Sequence, residues 1–110
     1  MIGDTISKIE ARLRNADSMS EETRQELINL LRMLRTEITD LSKTDAERAE
    51  KIAGHTETFT RAAICNEKDS DELQLSLDTL TESVEGFETS HPKLVEAVNR
   101  ICTTLSNLGI

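Results

Sequence analysis

The chain has no tryptophan and no tyrosine, only two phenylalanines, and one proline and four glycines among 110 residues. Each shortage excludes something. A β-sandwich turns often on Gly and Pro and fills its strands with aromatic and β-branched side chains. An α/β nucleotide-binding fold needs a glycine-rich phosphate turn. Neither inventory is present. Cations are short as well: 13 Lys and Arg stand against 21 Asp and Glu, for a net charge of −8. Binding phosphates takes clustered cations, so this balance argues against nucleic acid and against anionic membrane surfaces as partners. No apolar run approaches the ~20 residues that span a bilayer. The first residues lack the basic-then-apolar pattern of a secretory leader, so the expected location is the cytoplasm.

Cysteine is limited to Cys65 and Cys102, far apart and in no Cys-x-x-Cys pair. In a reducing compartment both are expected to be reduced, shielded, small apolar side chains. A reactive thiol wants a cation or a helix N-terminus beside it, and neither is evident.

What the chain does have is regularly spaced apolar residues, 36% of the total, which excludes disorder. Ile2, Ile6, Ile9, Leu13 and Ala16 recur at alternating steps of four and three, one face of a helix over residues 2–16. Ser20 precedes Glu21 and Glu22, so it suits the cap of a second helix with two acids in its positive first turn. That helix carries Leu27, Leu31, Leu34, Ile38 and Leu41 as a coiled-coil seam, widened by Leu30 and Met33.

Near residues 42–48 the seam weakens, because continuing it would place Asp45 and Arg48 at core positions. Thr44 and Glu47 have the spacing of a capping box and could start a new helix. The preferred expectation, since no Gly or Pro intervenes, is that the helix runs on. The seam then slips to Ala49, Ile52, Thr56, Phe59 and Ala63. A helix from Ser20 to Cys65 would be on the order of 70 Å long.

Ser70 is placed to cap a helix with the stripe Leu73, Leu77, Leu80, Val84 and Phe87. Asp71, Asp78, Glu82 and Glu85 lie opposite, and no Lys or Arg occurs from Asp69 to Glu88. Pro92 suits the first turn of a last helix, with Ser90 or His91 as its cap. That helix uses Leu94, Val95, Val98, Ile101, Cys102, Leu105 and Leu108, and Gly109 with Ile110 suits a left-handed C-terminal cap.

Phe87-Glu88-Thr89-Ser90-His91-Pro92, then Asn99-Arg100-Ile101, and the ending Leu105-Ser106-Asn107-Leu108-Gly109-Ile110 resemble a family of small bacterial proteins catalogued only as a domain of unknown function. The opening helix and Ser-x-Glu-Thr-Arg-x-x-Leu at Ser20 to Leu27 are similar too. The resemblance covers both ends of the chain, and the middle, about Lys43 to Asp69, departs from it. It implies a helical fold and a bacterial source, and it carries over no activity and no catalytic residue.

The fold expected is all-α: an elongated helical bundle or coiled coil of four to five amphipathic helices, occupying residues 1–110 as a single domain. Within it, 1–42 form an N-terminal hairpin, 43–69 a middle helical extension and 70–110 a C-terminal hairpin. Small chains bury little surface alone. The α-helical seam Leu27, Leu31, Leu34, Ile38 and Leu41 is therefore expected to pair two copies into a homodimer.

Catalytic chemistry finds little purchase. There is no phosphate loop, no nucleophile elbow and no Cys beside a His, so no enzyme and no cofactor is expected. Glu88 and His91 have the Glu-x-x-His spacing of di-iron bundles, but such sites need two pairs and two further carboxylates. No metal ligand is assigned. Charge is uneven: residues 1–43 hold 7 Lys and Arg against 8 Asp and Glu, while residues 44–110 hold 6 against 13. The leading expectation is thus a self-associating structural or interaction protein. The alternatives are an acidic module docking a basic protein through Asp71, Asp78, Glu82 and Glu85 and, behind it, a metal- or small-molecule-binding bundle.

Overall fold

The apolar stripes resolve into five helices. The computed structural model describes residues 2–17, 19–64 and 69–108. Among them run α1 (Ile2–Asn15), α2 (Glu21–Ser42), α3 (Ala46–Ile64), α4 (Ser70–Ser83) and α5 (Pro92–Leu108), with no strand.

Local chemistry sets most boundaries. The Ser20 hydroxyl accepts from the Thr23 amide at 3.2 Å and starts α2, with Glu21 and Glu22 in the first turn. This satisfies one of the orphan amides that every helix start exposes. The α4 cap is Asp69 rather than Ser70: its carboxylate accepts from the amides of Asp71 (3.0 Å) and Glu72 (3.3 Å). A carboxylate both accepts and complements the positive helix end, so it prevails over the neighbouring hydroxyl. Pro92 is the first residue of α5, and the His91 carbonyl accepts from the amides of Leu94 (3.1 Å) and Val95 (3.3 Å), making His91 the capping position. The Gly109–Ile110 cap and Cys65 lie outside the described residues.

The continuous helix from Ser20 to Cys65 does not form. α2 stops at Ser42, and the amides of Thr44 (3.0 Å) and Asp45 (2.8 Å) both turn back to the Leu41 carbonyl. Asp45, not Thr44, caps α3, its carboxylate accepting from the Arg48 amide at 3.2 Å. An unshifted seam would have placed Asp45 and Arg48 at core positions. Burying them is expensive; turning the chain leaves Arg48 exposed and lets it reach Asp45 at 3.6 Å. The shifted register is kept nonetheless, since Ala49, Ile52, Thr56, Phe59 and Ala63 are all buried on α3.

Folding back replaces length with thickness. The radius of gyration is 12.9 Å and the longest dimension 37 Å, so the elongated bundle is not what forms. A compact domain of this size has a radius near about 13 Å. α3 sits at the centre and packs on all four other helices. Its buried face is mostly small, with Ala49, Ala53, Thr56, Thr60 and Ala63 around Ile52 and Phe59. Small side chains let several neighbours approach one helix. The two buried threonines cost little because each hydroxyl donates to the carbonyl four residues back, Thr56 to Ile52 and Thr60 to Thr56, both at 2.8 Å. α1 packs on α2 and α3, α5 lies chiefly against α2, and α4 chiefly against α3.

Candidate interaction surfaces

The seam of α2 is not a surface. Leu27, Leu31, Leu34, Ile38 and Leu41 are each 2% exposed or less, and α1, α3 and α5 cover them. The apolar surplus that pairing was expected to bury is absorbed by the chain's own helices.

The acidic side of α4 does face water: Asp71, Asp78, Glu82 and Glu85 are all exposed. Three of them are on the helix. Glu85 follows its end, because α4 stops at Ser83, Val84 caps it, and Gly86 takes φ +95° to turn the chain. Val84 and Phe87 stay buried from within that turn. The acidic face is divided in its charge environment. Glu82 and Glu85 share a groove of about 350 Å³ with Arg48, Lys51 and His55 of α3. Among the described residues Asp71 and Asp78 form no ion pair, and Asp78 accepts from the Gln74 amide group at 2.9 Å. Amid this face stands Leu75, 67% exposed. At ~100° per residue, Asp71, Glu72, Asp78 and Glu82 all project within about 60° of it.

The junction between α4 and α5 gathers a second cluster. Phe87 is buried, the His91 ring meets it edge-on at 5.7 Å between centroids, and the Arg48 guanidinium lies 5.4 Å over its face. The His91 Nε2 is 4.0 Å from an Asp40 oxygen at the end of α2, and Nδ1 is 3.1 Å from the Ser90 hydroxyl. Glu88 turns elsewhere and accepts from the Gly86 amide at 2.8 Å. The Glu-x-x-His spacing therefore does not converge, since residues 88–91 form a turn and not a helical step. Among the described residues no group of three or more His, Cys, Asp and Glu is placed to hold a metal. Cys102 is free and buried. Burial pushes its thiol up to about 11, with a contact from Thr81 pulling weakly the other way.

With this geometry the chain can be set beside known proteins. The model of a family described as a domain of unknown function, DUF4404, matches residues 29–110. The chain belongs to that family. No curated protein and no solved structure matches it. The match to the DUF4404 model spans residues 43–69 as well as the C-terminal helices. It leaves α1 and the start of α2 outside the matched range. The family's description names no activity, so no role passes from it to any residue. Among the described residues no helix is long and apolar enough to cross a membrane.

Two features of this DUF4404 member escape sequence reasoning. Arg24 reaches back to cap the C-terminus of α1, donating to the Leu13, Arg14 (2.9 Å) and Ala16 (2.7 Å) carbonyls. Nothing local announces it. The second is an open groove between α2 and α5 of about 580 Å³. It is lined by Glu22, Gln25, Glu26, Asn29, Leu30 and Met33 of α2 and by Arg100 of α5. It continues past Asn99 and Thr103. Its walls come from helices far apart in the chain, so no spacing could reveal it.

Proposed function

We propose that this chain is a non-enzymatic protein–protein interaction module that docks a basic partner on the acidic face of α4. The observation that carries the reading is Leu75, a large apolar side chain left in water amid Asp71, Glu72, Asp78 and Glu82. An apolar anchor inside a charged rim is the anatomy of a contact surface, with the anchor supplying affinity and the rim supplying orientation and encounter rate. The partner that fits is a cationic surface with an apolar pocket for one leucine.

Affinity capture from the native cell, comparing the wild-type chain with Leu75→Asp and with Asp71→Lys/Asp78→Lys, tests it. All the substituted side chains are exposed, so the fold should survive. A basic protein is expected to be captured by the wild type and lost by both variants. Titration of the purified pair should weaken at least about tenfold between ~0.1 and ~0.5 M salt. Capture indifferent to both variants sinks the reading.

A second reading, self-association, is favoured by a different observation: the α2/α5 groove carries carboxylates on one wall and a guanidinium on the other. The α2 seam has no part in it, because exposing that seam would open the core.

A further inference from the structure

We propose that the α2/α5 groove is the contact face of a symmetric dimer, with the two-fold axis running along the groove so that Arg100 of each copy meets the partner's Glu26. This deepens the self-association reading and rests on it; it is independent of the α4 face.

The argument starts from helix direction. Asp40 near the end of α2 lies beside His91 at the start of α5, and Glu26 near the start of α2 shares the groove with Arg100 and Thr103. The two helices are therefore antiparallel, and Glu26 and Arg100 border the same stretch of the groove from opposite helices. Glu22, Glu26 and Arg100 are all exposed. Among the described residues none of the three makes an ion pair or a side-chain hydrogen bond. Arg24, on the same helix, shows the contrast, since it is engaged with Glu21 at 3.4 Å and with the end of α1.

A second copy laid face to face on this groove has two symmetric choices. A two-fold axis across the groove would set acidic wall on acidic wall, which repels. An axis along the groove sets each α2 over the partner's α5. Because rotation about that axis preserves height, Arg100 then faces the partner's Glu26, twice. The same rotation lays Met33, half-buried in the single chain, against the partner's α5, where its flexible side chain fills the gap. A ligand of one charge sign would satisfy one wall and oppose the other. A second copy satisfies both, and this charge complementarity selects it as the occupant.

Sedimentation equilibrium from micromolar to submillimolar concentration on four proteins tests the arrangement: the wild type, Glu26→Arg, Arg100→Glu and the double swap. The wild type should reach twice the 12.3 kDa chain mass. Each single reversal, which creates two like-charge contacts per dimer, should raise the dissociation constant at least about tenfold. The double swap should return it to within about threefold of wild type, and circular dichroism should be unchanged throughout. A wild type that stays at 12.3 kDa at every concentration overturns both this geometry and self-association. A dimer whose affinity ignores both single reversals, or that the double swap fails to restore, overturns the geometry while leaving self-association standing.

Discussion

α2 and α4 look alike as sequences and end in different places. Both begin at a side-chain cap with two acids in the first turn, and both carry leucines at helical spacing. α2 buries Leu27, Ile28, Leu30, Leu31, Leu34, Ile38 and Leu41, whereas α4 buries only Ser76 and Leu80. The difference lies in how the leucines are distributed around the helix. Those of α2 form one broad stripe that three neighbouring helices can cover. In α4, Leu73, Leu75 and Leu77 are two apart, so about 200° separates successive members. Leu73 and Leu77 share a face and pack against the core, and Leu75 is left opposite them in water. Helical period alone says that a helix forms; the width of the apolar stripe says how deeply it is buried.

The sharpest way to break the comparison is to delete the same side chain from each helix. Leu34→Ala should lower unfolding free energy by about 2–5 kcal/mol, since Leu34 is fully buried and its removal leaves a cavity. Leu75→Ala should stay within about 0.5 kcal/mol. Urea denaturation of both measures the gap, and equal losses would mean that α4 is covered in solution.

Arg24 comes next. Arg24→Ala removes hydrogen bonds from the guanidinium to three carbonyls at the end of α1, bonds that hold α1 onto α2. Charge-assisted bonds of this kind contribute about 1.5–3 kcal/mol, and the loss should appear as faster amide exchange in α1 before α3 is affected. The end of α4 offers a smaller effect. Gly86→Val puts a β-branched residue at φ +95° and should cost about 1 kcal/mol or more, from backbone strain alone because space around the site is open. An unchanged melting temperature would show that the turn has another conformation within reach.

The smallest effect at neutral pH concerns Cys102. Its thiol, raised from 9.0 to about 11 by burial, stays neutral in the folded chain at pH values where an unfolded chain ionises. The stabilising contribution is complete below pH 9 and is lost as pH rises from 9 through about 11. Stability measured across that window should fall, and Cys102→Ala should flatten the part of the fall that belongs to this thiol. Alkylation of Cys102 in the native chain at neutral pH should be slow, becoming fast only on unfolding.

The helical class, the Ser20 cap, the placement of Pro92 and the buried stripe Leu27, Leu31, Leu34, Ile38 and Leu41 of α2 were all legible in the sequence, whereas the burial of Ile28 was not. Each depends on residues within about four positions of one another, the range over which a helix makes its own hydrogen bonds and repeats its faces. The exposure of the acids on α4 was legible for the same reason. Three matters were decided only by tertiary structure. The chain breaks at residues 43–45 because folding α3 back lets it pack on all four other helices, which a straight continuation could not do. The α2 seam is covered from within, by α1, α3 and α5, because a stripe of leucines specifies that something must cover it and not what. The α2/α5 groove and the Arg24 cap join residues far apart along the chain, and contacts of that kind leave no periodicity behind. Local chemistry writes the helices; the choice of which faces meet belongs to the assembled core, where burying one apolar surface settles what is left for every other.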